Sequence, residues 1–113
     1  MAQGDFIDWQ GQSGTVYRYV FVDILQPILA IAANYAFVIK LANGKFLPLY
    51  FGETDDAKRR LANHERWNEA LRLGMTHVMA HSTQGGEAVR CREESDPIAF
   101  WQPALNVQHR QAR

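Results

Sequence analysis

Asn34 to Gly52, NYAFVIKLANGKFLPLYFG, is the stretch whose reading decides the fold. Two runs rich in β-branched and aromatic residues, Asn34 to Leu41 and Lys45 to Gly52, flank Ala42-Asn43-Gly44, and an Asn-Gly pair between strand-like runs is a strong hairpin signal. A β-hairpin is predicted. Pro48 has no amide hydrogen to donate, so the second strand should bulge or lie at an edge at that point.

Working outward, Thr15 to Asp23, TVYRYVFVD, has the composition of a strand with a buried face. Ile24 to Ala33 contains Pro27 and fits a connection or a short helix. Met1 to Gly14 carries three glycines and two aspartates with little periodicity, which predicts a loose lead-in from which Phe6, Ile7 and Trp9 can dock. After the hairpin, Thr54 with Asp55 and Asp56 reads as a helix start, a hydroxyl cap followed by carboxylates near the positive end of the dipole. This helix should reach at least His64, and Trp67, Ala70 and Leu71 extend helical spacing towards a stop at Gly74. Thr76 to His81 reads as a short strand. Gly85-Gly86 breaks the chain, and Glu87 to Trp101 reads as a final helix with Pro97 as an internal conflict.

The expected fold class is therefore α/β, a small, mainly antiparallel sheet with flanking helices. The expected organisation is a lead-in over 1–14, one domain over 15–106 and a tail over 107–113. A length of 113 residues with 47% hydrophobic and 21% charged residues suits one packed core. The apolar stretch Val20 to Ala42 is broken by Asp23, Gln26, Pro27 and Asn34, which argues for core rather than a membrane span. Twelve basic residues balance twelve acidic ones, so any site for a polyanion has to be local. The lone Cys91 forms no internal disulfide and no secretory leader is recognised, so a cytoplasmic location is expected.

Several residues can carry chemistry. Tyr35 and Tyr50 lie on the two hairpin strands with the turn midway between them, which directs the two phenols towards each other. Arg60 and His64 are four apart on the next helix and so project from one face. Glu94 lies on the last helix. Two phenols, a guanidinium, an imidazole and a carboxylate suit phosphodiester cleavage, since Arg matches phosphate geometry and a carboxylate can hold a divalent metal. Lys58, Arg59, Arg66 and Arg72 add local positive charge. His77 and His81 share a side of a strand, but with no third ligand nearby in sequence they read better as structural residues than as a metal pair.

Ala33-Asn34-Tyr35, Tyr50-Phe51-Gly52, Arg60 ten residues after Tyr50, His64 a turn later, and the closing segment Glu93 to Asn106, EESDPIAFWQPALN, together carry a resemblance. In order and spacing the chain resembles the GIY-YIG nuclease family over about Asn34 to Asn106. Ala33 stands where that family has the first glycine of its motif, and Pro97 where it has an apolar helix residue. The resemblance implies a metal-dependent endonuclease that hydrolyses DNA phosphodiester bonds with water as nucleophile. It implies that Glu94 binds Mg²⁺ or Mn²⁺ and that Arg60 holds the scissile phosphate. It implies that Tyr35, ahead of Tyr50, accepts the proton of water while the other phenol orients water or phosphate. His64 is the rival base, or the group that deprotonates the tyrosine. Lys58, Arg59 and Arg66 are expected to contact the DNA, with Asn106 as a hydrogen-bonding residue near the site. The near-zero net charge suggests that a protein partner or a second copy supplies further grip. The alternatives are a non-catalytic domain that binds nucleic acid or protein through the same fold, and a structural domain that binds no nucleic acid.

Overall fold

The computed structural model describes residues 5–106; the tail expected at 107–113 lies outside the described residues. Among the described residues, five strands form one antiparallel sheet: β1 (Phe6–Gln10), β2 (Val16–Val22), β3 (Ala33–Lys40), β4 (Phe46–Thr54) and β5 (His77–His81). Their spatial order is β1-β2-β5-β3-β4. Among the described residues the main helices are α1 (Ala57–Ala62), α2 (Trp67–Arg72) and α3 (Gly86–Trp101). The α/β architecture expected from the sequence is present.

Side chains alternate across a strand, so β3 delivers Ala36 and Val38 to one face and Tyr35 and Phe37 to the other. The first pair joins Trp9, Tyr17, Tyr19, Phe51 and Met79 in a cluster against which Ile98 of α3 packs. The second pair joins Leu49, Tyr50, Ala70, Val78 and Leu105, with Leu61 of α1 and Trp67 of α2 packed on them. Because helices cover both faces, β3 is buried from Ala33 to Val38, and its side chains there are apolar or aromatic apart from Asn34.

The predicted hairpin forms β3 and β4. Its turn is closed by Gly44 N–H to the Leu41 carbonyl at 2.9 Å and by Leu41 N–H to the Lys45 carbonyl at 2.7 Å, with Gly44 left-handed at φ 84°. Pro48 acts in both of the ways expected. β4 is an edge strand, and the pairing shifts between Phe37 and Val38, so that Tyr50 pairs with Phe37 but Pro48 with Val38. Leu49 is the extra residue of this bulge. The slip has a large consequence, because a one-residue change in register moves a side chain to the opposite face. It puts Tyr50 on the same face as Tyr35.

Three expectations are corrected. Residues 6–10 lie inside the stretch read as a lead-in, yet they form β1, paired with β2 from Phe6 opposite Val20 to Gln10 opposite Val16. Short alternation in a glycine-containing segment hid a strand whose Trp9 is buried against Phe51 and Trp101. The cap of α1 is Asp56 rather than Thr54, its carboxylate accepting the Arg59 N–H at 3.1 Å. Thr54 is still paired with Ala33 in the sheet, and its hydroxyl instead accepts the Asp56 N–H at 3.0 Å. Finally, α1 ends at Ala62, so His64 sits in the turn between α1 and α2 rather than on a helix. The final helix does run through Pro97, which is buried, and ends at Gln102 in a left-handed conformation. Ala33 does not have positive φ, so a residue with a Cβ is tolerated there.

Candidate functional site

Strand β3, strand β4, helix α1 and the α1–α2 turn bring Tyr35, Tyr50, Arg60 and His64 into one cluster. Tyr35 and Tyr50 are diagonal neighbours rather than directly opposed, with ring centroids 6.2 Å apart, because Tyr35 pairs with Gly52 and Tyr50 with Phe37. Gly52 has a specific task here. A Cβ at that position would lie 2.4 Å from Cζ of Tyr35 and 2.5 Å from its hydroxyl, so the Tyr35 ring occupies the space that any larger residue would fill.

His64 is enclosed by Phe37, Tyr50 and Tyr35, whose ring centroids lie 4.8, 5.1 and 5.5 Å from its own. Its Nδ1 accepts the main-chain N–H of Arg66 at 3.0 Å, and its Nε2 lies 2.8 Å from the Tyr35 hydroxyl oxygen. Burial, reinforced by the Arg60 cation, pushes its pKa down to about 4, so the ring is neutral at pH 7. A neutral imidazole with an acceptor at Nδ1 carries its proton on Nε2. His64 therefore donates to the Tyr35 oxygen.

Arg60 donates from its two terminal guanidinium nitrogens, Nη1 and Nη2, to the two carboxylate oxygens of Glu65, at 2.6 and 2.9 Å. These bonds raise the Arg60 pKa and hold the Glu65 carboxylate at about 2. The same guanidinium acts on both phenols and favours their ionised forms, but burial outweighs it and raises both pKa values above the usual tyrosine range. Tyr35 is only 1% exposed and Tyr50 8%. Both are phenols, not phenolates, in the free protein. Arg60 thus lowers each tyrosine pKa by its own effect, but desolvation is the larger contribution and decides the sum.

Glu94 on α3 lies in electrostatic reach of both tyrosines. Burial and then the neighbouring Glu53 push its pKa up to about 7. A half-buried carboxylate facing a second carboxylate is an oxygen-donor environment that a divalent cation would relieve, so the residues fit Mg²⁺ or Mn²⁺. Glu53 is in turn bonded by the buried Arg90, Nε to Oε1 at 3.1 Å. A different trio, Glu53, Glu87 and Cys91, also brings ligand atoms within 4.8 Å of one another. Burial and the surrounding carboxylates raise the Cys91 pKa, which disfavours the thiolate that a metal needs.

The remaining expected contacts divide. Asn106 is buried and both ends of its amide engage Phe51, accepting its N–H at 2.7 Å and donating to its carbonyl at 3.0 Å, so it satisfies the outward main-chain groups of Phe51 on edge strand β4. The local positive charge is largely matched: Arg59 pairs with Asp55 at 3.2 Å and Arg66 with Glu69 at 2.7 Å. Among the described residues, Lys58 and Arg72 are the members of this group without an ion pair. The two strand histidines are structural: His77 packs between Phe21 and Phe46, and His81 bridges the Arg18 carbonyl and Glu93.

Sequence reading passed over Glu53, Glu65 and Arg90. Gly52 was legible as the end of the second motif, although the reason for a glycine there is a ring from another strand. The three charged residues carry no local signal, because each is defined by a partner on a different element or beyond a helix end. No family model matches the chain, and no curated protein or solved structure matches it. No helix among the described residues is long and apolar enough to cross a membrane.

Proposed function

We propose that this chain is a GIY-YIG-type nuclease domain that hydrolyses phosphodiester bonds of DNA. The observation that carries the reading is the convergence of Tyr35, Tyr50, Arg60 and His64, from two strands, a helix and a turn, on one cluster within reach of Glu94. Arg60 is the phosphate-binding group, since its planar fork matches two phosphate oxygens and neutralises charge that grows during displacement. The Tyr35 and Tyr50 hydroxyls, protonated in the free protein, enter as donors to phosphate or to the attacking water. Tyr35 can accept a proton from water only after its own has passed to bulk solvent, and the resulting phenolate would be held by the His64 Nε2–H and by Arg60. His64 thus orients and stabilises the Tyr35 oxygen rather than removing its proton. Glu94, with Glu53 beside it, would hold Mg²⁺ or Mn²⁺, which when bound supplies positive charge for the leaving oxygen.

The test is cleavage of supercoiled, branched and single-stranded DNA with Mg²⁺ or Mn²⁺, with Glu94→Ala and Arg60→Ala proteins alongside. Metal-dependent cutting lost in both variants is expected. Equal cutting by the variants, or none by any protein, would sink the enzyme reading. The second reading is a non-catalytic domain that binds nucleic acid or protein. The closed state of the site favours it, with Tyr35 1% exposed and Arg60 already engaged by Glu65. Duplex binding without cleavage in any divalent metal would select it.

A further inference from the structure

Resting on the nuclease reading, we propose that Glu65 is a built-in competitor for the phosphate seat of Arg60, a carboxylate that a phosphodiester must displace in order to bind. The pair is bidentate, at 2.6 and 2.9 Å, the same two-pronged geometry by which a guanidinium takes two phosphate oxygens. The two partners are not equally fixed. The Glu65 side chain is 58% exposed and that of Arg60 29%, so the carboxylate is the arm that can swing into water. Its departure need not disturb the turn, because the adjacent His64 is buried and held by both Tyr35 and the Arg66 N–H.

A phosphate has an advantage over the resident carboxylate. It brings further oxygens, and the Tyr35 and Tyr50 hydroxyls both lie in the field of the same guanidinium. Exposed ion pairs contribute little net free energy, so a ligand with additional contacts can evict this one. The trigger is displacement and not protonation, because Arg60 keeps Glu65 ionised down to about pH 2. Glu65 thereby sets a threshold that favours phosphates anchored by neighbouring contacts, as in a polynucleotide, over isolated small anions.

The competitor has a signature in salt dependence. In the wild type, phosphate binding at Arg60 exchanges one internal anion for another, and the freed Glu65 takes up a cation from solution. Without the carboxylate no cation is taken up in exchange, so the counterion that the contacted phosphate releases is felt in full and the dependence of log K on log salt steepens, by at most about 0.9 for duplex DNA. The experiment is equilibrium binding of a duplex oligonucleotide without divalent metal, over a range of salt. It compares wild type, Glu65→Gln and Glu65→Ala, each of the three also in an Arg60→Ala background, with folding checked by circular dichroism. Expected are roughly two- to fivefold tighter binding at low salt and the steeper slope in both Glu65 variants, with both effects absent in the Arg60→Ala background. Unchanged or weaker binding, or the same gain without Arg60, would overturn the assignment. If no protein binds duplex, the nuclease reading fails, and inorganic phosphate then decides the seat. A response of the Arg60 Nε–H resonance at lower phosphate in Glu65→Gln than in wild type retains the competitor, and equal responses overturn it.

Discussion

The hydrogen bond between His64 and Tyr35 shows how one proton position constrains chemistry at the residue scale. With Nδ1 taken by the Arg66 N–H, the imidazole has only a donor to offer Tyr35. Tyr35→Phe is expected to reduce cleavage about a hundredfold or more, the scale of losing one charge-stabilising donor. The same substitution strands the buried His64 N–H and should lower stability by about 1–3 kcal/mol, read by urea denaturation. Glu94 predicts a pH dependence of opposite sense to an ordinary paired carboxylate. Its folded pKa of about 7 lies above its unfolded value, so between those two the native state binds more protons than the unfolded one. This contribution is fully present at low pH and is lost as pH rises towards and through 7. Glu94→Gln should therefore be relatively more stable than wild type at pH 8 than at pH 5, and denaturation midpoints at the two pH values test it.

At the scale of the element, the β3–β4 hairpin is both scaffold and site. The bulge opposite Phe37 and Val38 sets which face Tyr50 occupies, and Gly52 leaves the volume that the Tyr35 ring fills. Gly52→Ala would drive a methyl group into that ring, so it should destabilise by about 1–3 kcal/mol and displace the Tyr35 hydroxyl from His64. Thermal denaturation and the His64 ring resonances would check the two effects. A variant as stable as wild type with unshifted His64 signals would contradict the packing described here. The hairpin was legible in sequence because its turn, strand composition and proline are local signals. The cap at Asp56 was not, because pairing of Thr54 with Ala33 decides where β4 stops and the helix begins.

Over the whole molecule, twelve basic and twelve acidic residues leave no broad positive field. The structure carries the balance down to pairs, with Arg59, Arg60 and Arg66 each engaged by a carboxylate on or beside α1 and α2. Duplex affinity should then be modest and carried by few phosphates. For three contacts, raising salt from 50 to 200 mM is expected to weaken binding roughly 40-fold. Fluorescence anisotropy on a labelled duplex measures this slope, and a salt-independent affinity would show that phosphate contacts are not the basis of binding. Asn106 belongs to this scale too, since the end of the described chain returns to pair the outward main-chain groups of Phe51 on edge strand β4, which would otherwise be open to pairing with another molecule.

Local order along the chain determined the hairpin, the helices, the short strand from His77 and the spacing of Tyr35, Tyr50, Arg60 and His64, because propensity, turn chemistry and periodicity act over a few residues. Only the tertiary structure decided that residues 6–10 join the sheet, that Glu65 occupies Arg60, that Glu53 raises the pKa of Glu94, and that burial keeps both tyrosines protonated. Those outcomes depend on which distant side chains exclude water from one another. That is a property of packing, and no spacing in the sequence encodes it directly.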